Sequence, residues 1–95
     1  MSDLIKLPNI GVVLEKKLLL AGIENQEKLK KIGSKEAFFR IRLQSDSDAC
    51  LHMLYGLVGA IEGVNDICLS QETNEELKAY YNSLKYLYII STKNN

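Results

Sequence analysis

The chain has 95 residues, 46% of them hydrophobic and a quarter charged, which fits one domain that can bury its own core without a staple. Twelve Lys and Arg balance twelve Asp and Glu, and a net charge of zero argues against strong non-specific DNA binding, which relies on neutralising phosphates. No apolar run approaches the roughly 20 residues of a membrane span and no signal peptide is read, so a soluble cytoplasmic protein is expected.

Helical spacing recurs along the chain and strand signals are scarce, so the expected fold is all-α: a bundle of about five short helices in a single domain spanning 1–95, with its core at about 4–90 and a frayed tail at 91–95. The first helix is predicted from about Ile10 to Ala21, with Leu14, Leu18 and Ala21 on one stripe. Gly22 fits the left-handed residue that ends a helix, and Ile23 fits the apolar residue that packs back after it. Asn25 caps a short second helix whose Leu29 and Ile32 face inward, and Gly33 stops it. Ser34 is read as the cap of a third helix, Lys35 to about Leu43, burying Ala37, Phe38 and Ile41 and projecting Arg40 and Arg42 outward.

The loop Ser45 to Asp48 is expected to cap a fourth, central helix from about Asp48 to Glu62. Its stripe is Cys50, Leu54, Leu57 and Ile61, widened by Leu51 and Val58. Gly56 and Gly59 each cost about 1 kcal/mol against alanine in a helix interior, a cost that points to close approach by a neighbouring helix. Gly63 ends the helix, and Val64 to Ser70 form a short link with one turn of helix at most. A last helix starts at Thr73 or Asn74 and runs from Glu75 to about Tyr88, with Leu77, Tyr81, Leu84 and Tyr88 on one stripe and Tyr80 and Leu87 beside it.

Chemistry-bearing clusters are scarce. His52, the one histidine, forms "CLH" with Cys50, and on a helix those side chains point about 200° apart, which rules out a shared metal there. Cys50 and Cys68, with seventeen residues between them and no CxxC, are expected as free buried thiols. The carboxylates are scattered and no phosphate-loop motif occurs. These features predict no enzyme, no metal, no cofactor and no small-molecule substrate.

The stretch "LPNIGVVLEKKLLLAGI", Leu7 to Ile23, resembles a helix-hairpin-helix turn, with Asn9 where the first glycine of that motif stands and Gly11 at the second. Asn tolerates a positive φ better than most residues, so the bend survives the replacement. Together with "LKKIGSKEAFFRI" and "CLHMLYGLVGAIEG", it resembles the C-terminal domain of the TfoX (Sxy) bacterial competence regulators. The matching positions are Asn9, Gly11, Glu15, Gly22, Ile23, Gly33, Cys50, Leu54, Leu57, Gly59, Ala60 and Gly63. Val64 to Ile67 replace the tryptophan that usually follows the last glycine, and the chain is read as a stand-alone copy without the family's N-terminal domain. The resemblance implies a helix-hairpin-helix, SAM-like fold and an association with regulation of DNA-uptake genes.

Two functions follow. The first is a regulatory interaction module that docks on a protein partner or on itself as a homodimer, with Tyr80, Leu87 and Tyr88 as the candidate interface. It draws on an uneven charge distribution, +4 over residues 1–45 and −4 over 46–95, and on the aromatic last helix. The alternative is DNA binding through the turn Pro8 to Gly11, with backbone amides near Asn9, Ile10 and Gly11 holding a phosphate and Lys16 and Lys17 supplying charge. The turn also predicts a close backbone neighbour at Gly11, so that Gly11→Val should harm the fold far more than Asn9→Gly.

Overall fold

The computed structural model describes residues 2–44 and 49–93, with side chains placed through residue 84. Among these residues the chain forms five α-helices and two 3₁₀ turns, with no strand. The helices are α1 (Val12–Leu20), α2 (Gln26–Ile32), α3 (Ser34–Gln44), α4 (Leu51–Glu62) and α5 (Gln71–Lys93). The 3₁₀ turns, Asp3–Lys6 and Asp66–Cys68, precede α1 and α5.

α3 and α4 form the centre. α1 and α2 pack on α3, and α5 packs on α4. Phe38, Ile41, Leu54 and Leu57 are fully buried between them, joined by Leu4, Leu18, Ile23 and Leu29. Ile61 and Leu14, expected inside, are only half-buried at the margin. Phe38 meets Tyr81 of α5 with ring centroids 6.1 Å apart. The Arg42 guanidinium lies 5.7 Å from each of those rings and donates to the Ala49 carbonyl at 3.1 Å, so this arginine covers the core rather than reaching freely into water.

Helix ends follow the local chemistry. Gly22 has φ 82°, and the Ile23 amide donates to Leu18 O at 2.9 Å while the Gly22 amide donates to Leu19 O at 3.0 Å. That is the paired 6→1 and 5→2 closure of a Schellman motif, with Ile23 buried as its apolar seal. Asn25 Oδ1 accepts from the Lys28 amide at 2.8 Å, capping α2, and Gly33 ends it at φ 85°. Ser34 is already helical, so it opens α3 from within instead of capping it.

Several expectations need correction. α4 starts at Leu51, not near Asp48, and Cys50 is its N-cap residue with extended backbone. Cys50 is therefore exposed, and Ala49 takes the buried place before the helix. Cys68 is exposed as well, so neither thiol fills the core. The expected cap at Ser45 to Asp48 lies outside the described residues. α5 begins at Gln71, four residues earlier than Glu75, because the Ser70 hydroxyl accepts from the Thr73 amide at 3.1 Å. It continues through Lys93, past the expected end near Tyr88.

A further correction concerns the glycines of α4. No helix presses on Gly59. A Cβ placed there would stand 2.5 Å from Asn9 Nδ2 and 2.7 Å from Val64 O. At Gly56 it would meet Asn9 Cβ at an ordinary 3.6 Å. Gly11, by contrast, would give a Cβ no neighbour within 4 Å, and its backbone is extended at φ −96°. The close approach expected at Gly11 belongs to Gly59, and the residue that approaches is Asn9.

Candidate functional site

Asn9 carries the bend before α1 at φ 68°, the one non-glycine residue with positive φ among those described. Its side chain is wholly engaged. Nδ2 donates to Val64 O at 2.9 Å and to Gly56 O at 3.3 Å, and Oδ1 accepts from the Asp66 amide at 3.2 Å. Three backbone partners thus tie the turn before α1 to the middle of α4 and to the 3₁₀ turn that follows it. Gly59 makes room for this clamp because any side chain would enter the space of the amide.

The clamp shapes a groove of about 430 Å³ between the first turn of α1 and the first turn of α4. Val12, Val13, Leu14, Cys50 and Met53 give it mainly apolar walls. His52 and Asp66 stand at its edge, with Nε2 and Oδ2 3.2 Å apart. Val12 is 70% exposed and Val13 69%, values that leave two β-branched apolar side chains in water at the start of α1. Beyond Asp66, Ile67 is 84% exposed and Val64 is also exposed. The 64–67 turn is held firmly: the Asn65 side chain accepts from the Ile67 amide at 3.1 Å, and the Cys68 amide donates to Asn65 O at 2.9 Å.

The residues expected to contact phosphate separate into different surroundings. Asn9 spends its amide inside the molecule. The Ile10 side chain belongs to the core. Gly11 is exposed and leaves α1 without a side-chain cap. Lys16 is exposed and Lys17 half-buried. Glu15 lies in the first turn of α1, buried at 8% exposure, with Oε2 accepting from the Ser2 hydroxyl at 2.6 Å. A carboxylate there complements the positive helix end from within the protein.

The expected interface residues also divide. Tyr80 is half-buried and donates its hydroxyl to Lys35 O at 3.3 Å, with Lys35 Nζ 5.4 Å from its ring centre. Burial pushes its phenol above the ordinary range, reinforced by the charge of Glu36 and opposed by Lys35 and Arg42. Lys35 also pairs with Glu76 at 2.8 Å, and that hydrogen bond, with the lysine charge behind it, holds the Glu76 carboxyl below its usual range. Tyr80 thus fastens α5 to α3. The side chains of Leu87 and Tyr88 lie outside the described residues. Among the described residues no three His, Cys, Asp or Glu side chains converge as a metal site, and no helix is long and apolar enough to cross a membrane.

The one acid–base pair at the groove, His52 with Asp66, stands at its rim with the imidazole 78% exposed, and the walls are mainly apolar. The sequence conceals the groove because Val12 and Val13 fit the helical pattern without revealing which way they face. The pairing of Asn9 with Gly56 and Gly59 is detectable there only as two unexplained glycines in one helix.

Two crystal structures from Listeria monocytogenes are similar to this chain. One, an uncharacterized protein in a triclinic form, is 46% identical, with a TM-score of 0.84 over 86% of this chain and 92% of that one. The other, a protein of unknown function in a tetragonal form, is 46% identical, with a TM-score of 0.81 over 84% of this chain and 98% of that one. No functionally curated protein matches the chain. The TfoX C-terminal domain profile matches residues 1–81, nearly the whole described fold, and the chain belongs to the TfoX C-terminal domain family.

Proposed function

We propose that the chain is a non-enzymatic, cytoplasmic regulatory module that works by protein–protein contact, in keeping with the competence regulators whose C-terminal domain it shares. The observation that carries this reading is the exposure of Val12 and Val13 beside an apolar groove, at the place where a helix-hairpin-helix protein would present a phosphate grip. Exposed apolar side chains at a formed groove favour a protein surface, and a polyanion gains nothing from them. The last helix supplies a second contact region at Tyr80, Leu87 and Tyr88, and no cofactor or small-molecule substrate is required.

One observation favours the alternative, DNA contact through Asn9, Ile10 and Gly11 with Lys16 and Lys17. Gly11 gives α1 no side-chain cap, so the first-turn amides remain unsatisfied by it. Titration of labelled random duplex DNA at two salt concentrations separates the readings. Protein docking predicts no saturable binding near physiological salt. Binding that falls steeply with salt, and that Lys16→Gln with Lys17→Gln weakens, would replace docking with DNA recognition.

A further inference from the structure

The groove and the 64–67 turn lie side by side on one face, because Asn9 binds the middle of α4 and both Val64 and Asp66. One is a recess of about 430 Å³ with mainly apolar walls; the other is a firmly held turn that borders the recess through Asp66 and carries Ile67, 84% exposed. An apolar recess and an exposed apolar turn adjacent on one surface allow a two-fold arrangement in which each copy offers its turn to the other's recess. We propose that this face is a self-association surface on which the Val64–Ile67 turn of one copy seats in the α1–α4 groove of a second copy, reciprocally. This rests on the reading of the groove as a protein-docking site and names its occupant.

Charge and area agree with a second copy as that occupant. Lys16 is exposed one helical turn beyond Val12 and Val13, on the α1 flank, and Glu62 is exposed immediately before the 64–67 turn. Seating the turn of one copy against α1 of the other brings Glu62 towards Lys16, twice in the symmetric pair. The chain carries no net charge to oppose the approach. A specific interface of about 800 Å² per partner is roughly an eighth of the 6076 Å² surface, within reach of one face that already exposes Val12, Val13, Val64 and Ile67. The 64–67 turn is ordered by Asn9 and Asn65 before it binds, which lowers the ordering cost of association.

The two native thiols report on this arrangement. Cys50 lines the recess and Cys68 follows Ile67, and both thiols are exposed. In the reciprocal pair, Cys50 of each copy faces the neighbourhood of Cys68 of the other. The test is sedimentation of the full chain at micromolar concentration, together with coupling by a short bis-maleimide and peptide mass analysis of the covalent dimer. The expected results are a dimer mass and a Cys50–Cys68 link between chains, absent in Cys50→Ser and in Cys68→Ser. Ile67→Glu, at a position too exposed to affect folding, should weaken the dimer about thirtyfold or more, the scale of an interface hot spot; Val13→Glu should do the same with an unchanged helical spectrum. A native chain that is monomeric throughout, or a dimer that tolerates both substitutions, overturns the proposal. A photo-crosslinker at Val13 that captures a different protein while the native chain stays monomeric overturns self-association and leaves docking intact; one that captures no protein removes both.

Discussion

Replacing Gly59 by alanine tests the packing on which the site depends. Alanine in a helix interior should stabilise by about 1 kcal/mol relative to glycine. At Gly59 the new methyl would stand 2.7 Å from the Val64 carbonyl and 2.5 Å from the Asn9 amide, and both neighbours are fixed. Val64 O is backbone, and Asn9 is held by three hydrogen bonds. Overpacking costs about 1–3 kcal/mol, and each hydrogen bond lost as Asn9 shifts costs about 0.5–1.5 kcal/mol more. The net effect is a destabilisation of about 1–4 kcal/mol, which for a domain of this size lowers the melting temperature by roughly 5–25 °C. Gly56→Ala is the internal control. Its methyl meets Asn9 Cβ at 3.6 Å, an ordinary contact, so the helical gain of up to about 1 kcal/mol survives. The assay is thermal unfolding followed by circular dichroism for each variant, with Gly59→Ala repeated in an Asn9→Gly background, where the cost should shrink because the amide is gone. Gly59→Ala melting at or above the native temperature would refute the clamp.

Asn9→Gly keeps the left-handed bend but removes all three side-chain bonds, and should cost about 2–4 kcal/mol by chemical denaturation. Gly11→Val meets open space and an extended backbone, so its cost is at most about 1 kcal/mol, that of a poor N-cap residue, and Gly11→Ser should be near neutral in the same assay. Glu76, held below its ordinary pKa of 4.5 by Lys35, contributes stability above that value and loses it as pH falls; Glu76→Gln should flatten this acid-side slope in a pH series of melts, and salt should reduce the difference.

The expectation that Gly11→Val would be the more harmful change is reversed by this geometry, and the reversal shows where the sequence runs out. Helical periodicity locates α2 and α3 closely, because Asn25, Gly33 and the Phe38–Ile41 stripe act locally. The Schellman end at Gly22 and Ile23 is legible for the same reason. Cys50 is misplaced because it falls in register with Leu54 and Leu57, and nothing in that register marks where the helix begins. The start of α5 moves by four residues because Ser70, Thr73 and Asn74 are all acceptable caps, and the Ser70 hydroxyl is the one that accepts from a first-turn amide, that of Thr73. The site depends on pairings between residues about fifty positions apart: Asn9 with Gly56, Val64 and Asp66. Such pairings leave no periodic trace. The glycines of α4 signal a close approach, and the structure supplies its identity as an asparagine amide.

If the face around Val12 and Val13 meets protein, a cross-linker placed there will find it. The most direct measurement puts a photo-activatable amino acid at Val13 and, separately, at exposed Glu24 beyond the far end of α1, and compares the adducts formed in the native cell. A discrete protein adduct is expected from position 13, with no counterpart at position 24, and Ile67→Glu or Val12→Glu should diminish it. Position 13 yielding only nucleic-acid adducts, or the same background as position 24, would contradict protein docking at this face.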